Sequence, residues 1–355
     1  MPRITSVATA VPPHRVEQSQ AEQFARAHFG PKFSDIDRLL PIFLNSGIQS
    51  RYFSAPVEWF LESRSFSERN EVYINSATDL SVQVASEVIE SADIEPRDID
   101  YVIYVNTTGL ATPSIDARVI NLLEMRSDVR RTPIWGLGCA GGVAGLSHAY
   151  HHLLGHPRER VLVIATELCG LTFLRDDFSK SNLVATALFG EGSAAVLMTG
   201  DEVASGGLEV IDTRSTFYPD SLEVMGWNVV SEGLQVVFAS RIPRIVRERA
   251  REDLVSFLAS HGLALKDISA FLFHPGGTKV VEAYEEALAL TEGALHHSSK
   301  VLRDYGNMSS VTVLFVLKSY LESNGDIRRG YGLLSALGPG FCSETVLTRQ
   351  LRDMR

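Results

Sequence analysis

Short apolar runs alternate with amphipathic stretches along the whole chain. Runs at Ile4–Ala8, Tyr101–Val105, Pro133–Leu137, Val161–Ala165, Ala194–Met198, Leu208–Ile211, Leu234–Phe238, Ala270–Phe273, Tyr331–Ala336 and Thr345–Thr348 predict strands. Several are continuously apolar rather than alternating, so burial is expected on both of their faces. Between them a helical period predicts helices over Ala77–Ser91, Ile115–Met125, Ala140–Leu154, Pro243–Ser260, Thr278–Ala289 and Val311–Glu322. Alternation of this kind predicts an α/β protein with helix-covered sheets. Arg51–Asn70 has no clear period and reads as a surface excursion.

The order of elements repeats. The first half runs from a helix to Asp98-Ile99-Asp100, an apolar strand and a Thr-Thr-Gly turn. The second runs from a helix to Asp267-Ile268-Ser269, an apolar strand and His274-Pro-Gly-Gly. Each half then continues with two helical segments and two strands. One α/β unit used twice is the simplest account, with a boundary near residues 199–207 that divides 1–203 from 204–355. A functional site is then expected where the halves meet.

Composition narrows the classes of function. The 355 residues are 45% hydrophobic and 21% charged, enough for a substantial core without staples. The net charge of −10 argues against non-specific nucleic-acid binding, since no broad basic field exists. The three cysteines, Cys139, Cys169 and Cys342, are too few and too widely spaced for a disulfide framework or a zinc pattern. The N-terminus lacks the apolar run of a signal peptide, and no stretch approaches the length of a membrane span. A cytoplasmic location without membrane insertion is the expectation.

Three constellations carry candidate chemistry. In Trp135-Gly-Leu-Gly-Cys139-Ala-Gly-Gly-Val-Ala-Gly145 an apolar run stops, small residues surround a cysteine, and a helical pattern begins. This predicts a strand–turn–helix elbow. A helix start favours a thiolate, and backbone N–H groups there can hold an oxyanion. A buried structural cysteine would fit the same residues. In Phe271-Leu-Phe-His274-Pro-Gly-Gly277 a histidine ends an apolar strand, where α/β sheets place ligands, although a core histidine is the plainer reading. Tyr305-Gly-Asn307-Met-Ser-Ser310 reads alone as a turn and helix cap. Together the three supply a nucleophile, a histidine to hold it ionised and an amide donor.

In order and local context the chain resembles the type III polyketide synthases, the chalcone synthase superfamily within the thiolase fold, in a bacterial form. The resemblance spans nearly the whole chain. It rests on Gly-Cys-Ala-Gly-Gly at 138–142, Ala-Leu-Phe-Gly-Glu-Gly at 187–192, His-Pro-Gly-Gly at 274–277, Tyr-Gly-Asn-Met-Ser-Ser at 305–310 and Gly-Pro-Gly-Phe at 338–341. It implies a five-layered αβαβα fold of two similar α/β halves. The first half would carry the nucleophile, the second the His and Asn. Cys139 would take an acyl starter from coenzyme A, and His274 would pair with its thiolate. Asn307 and His274 would hold the enolate left when malonyl-CoA loses CO2. Phe189 would sit where the CoA tunnel meets the cavity. The family works without a permanently bound cofactor or metal and as a homodimer.

The same resemblance implies a cavity lined by Thr107, Thr108, Cys169, Thr172, Val236, Ser309, either Gly226 or Trp227, and the backbone of Gly338, Pro339, Gly340 and Phe341. Cys169 and Val236 depart from the plant pattern of Thr and Phe, which argues against chalcone formation from aromatic starters. For CoA the candidates are Arg38 and Lys279, because positions often basic in the family read Pro41 and Asn45. The competing enzyme reading is an initiating ketoacyl-ACP synthase that condenses once on a carrier protein. Thiolase proper would want a second cysteine, for which Cys342 is the candidate. A Cys–His hydrolase lacks an orienting carboxylate, and a non-catalytic interaction protein on this fold is the remaining alternative.

Overall fold

Every predicted run becomes a strand in the computed structural model, which describes residues 1–203, 206–323 and 330–350. The expected division after residue 203 abuts residues 204 and 205, which lie outside the described residues. The described strands are β1 (Arg3–Ala10), β2 (His14–Glu17), β3 (Ser50–Phe53), β4 (Tyr101–Asn106), β5 (Arg130–Trp135), β6 (Arg160–Leu168), β7 (Glu191–Thr199), β8 (Leu208–Phe217), β9 (Met225–Val230), β10 (Gly233–Phe238), β11 (Ile268–Phe273), β12 (Gly330–Gly338) and β13 (Cys342–Gln350). The helices are α1 (Gln18–Phe29), α2 (Ile36–Leu39), α3 (Pro41–Asn45), α4 (Phe66–Ser91), α5 (Ile115–Leu122), α6 (Gly141–Gly155), α7 (Lys180–Leu188), α8 (Ile242–Ala259), α9 (Thr278–Leu288), α10 (His296–Tyr305) and α11 (Thr312–Leu321).

The main sheet runs β11-β12-β13-β8-β1-β7-β6-β4-β5. Its two halves join through a short antiparallel contact of β1 with β8, at Arg3–Glu209 and Ile4–Leu208. Helices α6 and α11 lie between the halves. Helix α6 packs on β4 and β6 from one side and on β8, β12 and β13 from the other, while α11 packs on β1, β7, β11 and β12. Helices α4 and α5 cover the outer face of the first half. Helices α8 and α9 cover that of the second. These are the five layers of a thiolase-like fold.

The continuous apolar strands are explained by this layering. In β6, Val161, Val163 and Ala165 point to the central core, and Leu162, Ile164 and Leu168 to the outer one. Period-2 alternation thus sends one apolar run into two cores. Burying both faces at roughly 25 cal/mol per Å² of apolar surface is the main term that holds β6 in place.

Arg51–Asn70 is not a surface excursion. Residues Ser50–Phe53 form β3, paired with β2, and the Arg51 side chain is only 1% exposed. Helix α4 begins at Phe66, eleven residues before the expected start. A capping box sets that point: Ser65 Oγ accepts from the Glu68 N–H, and the Glu68 carboxylate accepts from the Ser65 N–H. The strands and helices that the periodicity missed, β2, β3, β9, α1, α2, α3, α7 and α10, are short or polar and gain their order from packing.

Candidate active site

The Cys139 elbow is wedged between the two halves. Strand β5 ends at Trp135, the chain turns through Gly136 and Gly138, and Cys139 sits in a single 3₁₀ turn that leads into α6. Gly138 has φ of +48°, and a Cβ there would lie 2.7 Å from Pro339 Cδ. A side chain would therefore be both strained and blocked. Its N–H donates to Thr107 Oγ1 at 3.0 Å. Close approach recurs on the helix side, where a Cβ on Gly142 would stand 2.2 Å from the Ser310 carbonyl oxygen. The Gly338–Phe341 turn presses on the elbow from the second half, since a Cβ on Gly338 would meet Leu137 O at 2.4 Å.

Asn307 is completely buried and tied to the other half by its backbone. Its N–H donates to Leu188 O, and its carbonyl accepts from the Gly190 N–H, both at 2.9 Å. This bridge sets Phe189 opposite Asn307. The side-chain amide is oriented by its partners: Oδ1 accepts from the Ser309 N–H at 2.8 Å, and Nδ2 donates to Gly276 O at 3.2 Å. Cys139 Sγ lies 3.9 Å from Asn307 Oδ1.

His274 directly follows β11, with its N–H donated to Ser335 O at 2.8 Å. Its imidazole is buried, and neither ring nitrogen has a hydrogen-bond partner among the described residues. Burial lowers its pKa to about 3, so the ring is neutral at pH 7. Burial likewise pushes the Cys139 thiol up to about 12; the Glu167 charge adds to this, and hydrogen bonds from Ser309 and Asn307 oppose it. Among the described residues no hydrogen bond joins Cys139 to His274. Burial thus opposes charge on both groups.

Sequence reasoning missed the residue that ties these parts together. Glu167 is fully buried on β6. One carboxylate oxygen accepts from the Thr107 N–H at 2.9 Å and the Thr108 hydroxyl at 2.8 Å, and the other from the Ser310 hydroxyl at 2.6 Å. The carboxyl pKa is raised by burial, while these bonds pull it down. Glu167 thus joins the 107–108 loop to the 309–310 turn beneath Cys139. The available signal was a lone carboxylate at the end of the apolar run Val161–Leu168, because an acid in a strand buried on both faces needs dedicated donors.

Comparison with known proteins follows the same lines. Residues 13–207 match the family model described as FAE1/Type III polyketide synthase-like protein, and residues 209–352 match Chalcone and stilbene synthases, C-terminal domain. The chain is 41% identical to a putative chalcone synthase of Bacillus subtilis (strain 168), over 97% of each chain. It belongs to the bacterial type III polyketide synthases. It is also 38% identical to a 1,3,6,8-tetrahydroxynaphthalene synthase of Streptomyces peucetius subsp. caesius, covering 98% of this chain and 92% of that one. The solved structure of the 1,3,6,8-tetrahydroxynaphthalene synthase of Streptomyces coelicolor A3(2) covers 99% of both chains, with a TM-score of 0.94 at 26% identity. Members of this family are condensing acyltransferases, and that is the enzyme class of the chain.

In this polyketide synthase the expected cavity residues fall into two groups. Thr107, Thr108, Ser309, Gly338 and Pro339 are packed around the Cys139 elbow. Cys169, Thr172, Phe189 and Val236 line an adjoining pocket of about 70 Å³. Its other walls come mainly from Phe24, Phe53, Val57, Phe60 and Phe173. Trp227 lies directly across the β9–β10 hairpin from Val236, with its ring 6.3 Å from that of Phe189, whereas Gly226 pairs with Val237. The Phe341 ring turns away from the cavity into the core under α8 and α9, and a Cβ on Gly340 would stand 3.3 Å from the Phe217 ring. The Cys342 thiol is engaged elsewhere, donating to Pro339 O at 3.3 Å.

Arg38, on α2, and Lys279, in the first turn of α9, are exposed. The start of α9 is fastened to the end of α3, because Thr278 Oγ1 donates to Ser46 O at 2.6 Å. Among the described residues no helix is long and apolar enough to cross a membrane.

Proposed function

We propose that the chain loads an acyl group from a CoA thioester onto Cys139. It then extends that group by decarboxylative Claisen condensation with malonyl-CoA, and the polyketide cyclises to a pyrone, resorcinol or related polyphenol. The observation that carries this reading is the orphaned imidazole of His274. A buried polar ring without a partner costs about 1–3 kcal/mol, which points to a substrate group that completes it.

The steps follow from the charge states. His274, being neutral, takes the Cys139 proton as sulfur attacks the thioester carbonyl, and returns it to the departing CoA sulfur. A malonyl thioester then binds with its carbonyl oxygen against the His274 N–H and the Asn307 Nδ2–H. As the C–C bond to the carboxylate breaks, CO2 leaves and its electron pair becomes the enolate, held by the same two donors. The enolate carbon attacks the acyl carbon on Cys139 and expels the thiolate. No strong base is needed, because decarboxylation replaces proton abstraction. The aromatic walls beyond Phe189 keep water from the intermediates.

The pocket lined by Cys169, Thr172, Val236 and five phenylalanines supports an aliphatic acyl group rather than a polar one. Arg38 and Lys279 are the cations assigned to the CoA phosphates. No permanently bound cofactor or metal takes part in this reaction. Residues 1–203 would supply the nucleophile and 204–355 the His and Asn. A homodimer is supported by the free edge of β5, where Trp135 and Leu110 are 46% and 43% exposed beside the elbow. The cytoplasm is the compartment assigned, since three buried free cysteines fit a reducing one.

The test is incubation with malonyl-CoA and a panel of acyl-CoA starters, read by mass spectrometry of product and protein. An acyl adduct on the wild type and none on Cys139→Ala is expected. An unchanged adduct on the variant would sink the assignment. Extension from malonyl-carrier protein but not from malonyl-CoA would favour the ketoacyl synthase reading instead.

A further inference from the structure

Helix α6 carries Cys139 just before one end and a cluster of metal-ligating side chains at the other. His152 lies in its last turn, His156 caps it four residues later, and Glu159 immediately precedes β6. The two imidazoles stack with centroids 4.1 Å apart and planes 5° from parallel. One ligand atom from each of the three residues lies within 4.8 Å of the others. We propose that His152, His156 and Glu159 bind a divalent transition-metal ion of the zinc class, away from the acyl-transfer site.

The donor set and its setting support this. His156 Nδ1 is 2.9 Å from His152 O, and a carbonyl can only accept, so Nδ1 carries the proton and Nε2 is left with a free lone pair. His152 Nε2 and a Glu159 oxygen are 2.7 Å apart, and would need to open by roughly 0.6 Å to hold an ion at the usual bond lengths of about 2.0–2.1 Å. Coordination at His152 Nε2 requires the tautomer with its proton on Nδ1; no electron moves. The edge contact of Tyr101 on His152, with centroids 4.8 Å apart, holds that ring. The turn that carries Glu159 is fixed by the Glu159 N–H donating to His156 O at 3.1 Å and the Gly200 N–H to Glu159 O at 3.0 Å. A helix C-terminus favours a cation. Two imidazoles and one carboxylate select zinc, nickel or copper over calcium or magnesium. Arg130 acts against the ion, because its guanidinium reaches both Glu159 oxygens at 3.0 and 2.8 Å. Its side chain is half exposed and free to swing away.

The ion would clamp the end of the nucleophile helix to β6, the strand that carries Glu167 at its far end. The test is calorimetric titration of the untagged, chelator-treated full chain with Zn²⁺, in the wild type and in Cys139→Ala. One ion per chain is expected in both, with affinity at least tenfold weaker in His156→Gln. Arg130→Gln should bind at least threefold tighter, a gain that a purely structural ion pair would not give. At a hundredfold excess over the dissociation constant, Zn²⁺ should raise Tm by about 3 °C in the wild type and not in His156→Gln. Condensing activity of metal-free His156→Gln should equal that of the metal-free wild type, which also establishes that the variant folds. Equal affinity in His156→Gln and the wild type, loss of the ion in Cys139→Ala, or no binding at millimolar Zn²⁺ would each overturn the proposal.

Discussion

Replacing Glu167 by glutamine and by leucine separates charge from hydrogen bonding at the centre of the site. Glutamine can keep its oxygen toward the Thr107 N–H and the Thr108 hydroxyl, while its amide donates to the Ser310 hydroxyl, which turns to accept. Its cost in stability should stay within about 1 kcal/mol at neutral pH. Leucine strands three buried donors at about 1–3 kcal/mol each, so a loss of at least about 3 kcal/mol is expected even after relief from burying a charge. Urea unfolding measures both. The sign of the pH effect follows from the raised carboxyl. Wild type gains stability as pH falls through the folded pKa of Glu167, above the ordinary 4.5, because its buried charge is then neutralised. The glutamine variant has no such gain, so its relative cost should be largest at acid pH and smallest at neutral pH. Thiol chemistry gives a second readout. The Glu167 charge opposes the Cys139 thiolate, so its removal should shift the pH profile of Cys139 alkylation downward. Leucine costing less than 1 kcal/mol, or an unchanged alkylation profile in the glutamine variant, would refute the reasoning.

Other substitutions test other parts of the site. Asn307→Ala should lower malonyl decarboxylation by roughly 10²–10³, the usual loss for one oxyanion donor, and starter loading by less than tenfold; equal losses in the two partial reactions would remove its enolate role. Val236→Phe should fill the pocket between Phe189 and Trp227, cutting turnover of long acyl-CoA starters at least tenfold while sparing short ones, as read by product mass spectrometry. Gly142→Ala should destabilise by about 1–3 kcal/mol in urea unfolding and slow condensation, because its Cβ would displace the Ser310 carbonyl.

The parts of the molecule readable from sequence are those where one local rule dominates. Strands such as β6 and β7 are buried on both faces, so each carries an unbroken apolar stretch, Val161–Ala165 and Ala194–Met198, and the run announces itself. The elbow is equally plain, because Gly138 and Gly142 answer contacts under 3 Å that no other residue permits. Arg51 misled because its meaning is tertiary. It is a buried cation whose Nη1 donates to Thr186 O and Phe189 O, both at 2.7 Å, on a segment without period. Glu167 was overlooked for a related reason, since its three donors come from positions 107, 108 and 310. Gly226 and Trp227 could not be told apart until strand pairing placed Trp227 against Val236.

The charge state of the site depends on the same long-range contacts. Cys139 and His274 are both deeply buried, and burial moves both toward neutrality, the thiol upward and the imidazole downward. A helix start alone would favour a thiolate, but here that local effect is outweighed by desolvation and by the Glu167 charge. On the proposed mechanism an entering thioester would change the balance, because its carbonyl would occupy the bare imidazole and its carbon would accept the sulfur lone pair as the proton leaves. Charge then develops only in the transition state, where fixed donors act most strongly. A resting neutral pair also protects the cysteine, since a thiol is far less reactive than a thiolate toward oxidants and stray electrophiles. On the proposed mechanism the seam between the halves would hold Cys139 in place while burial opposes its ionisation until a substrate is present.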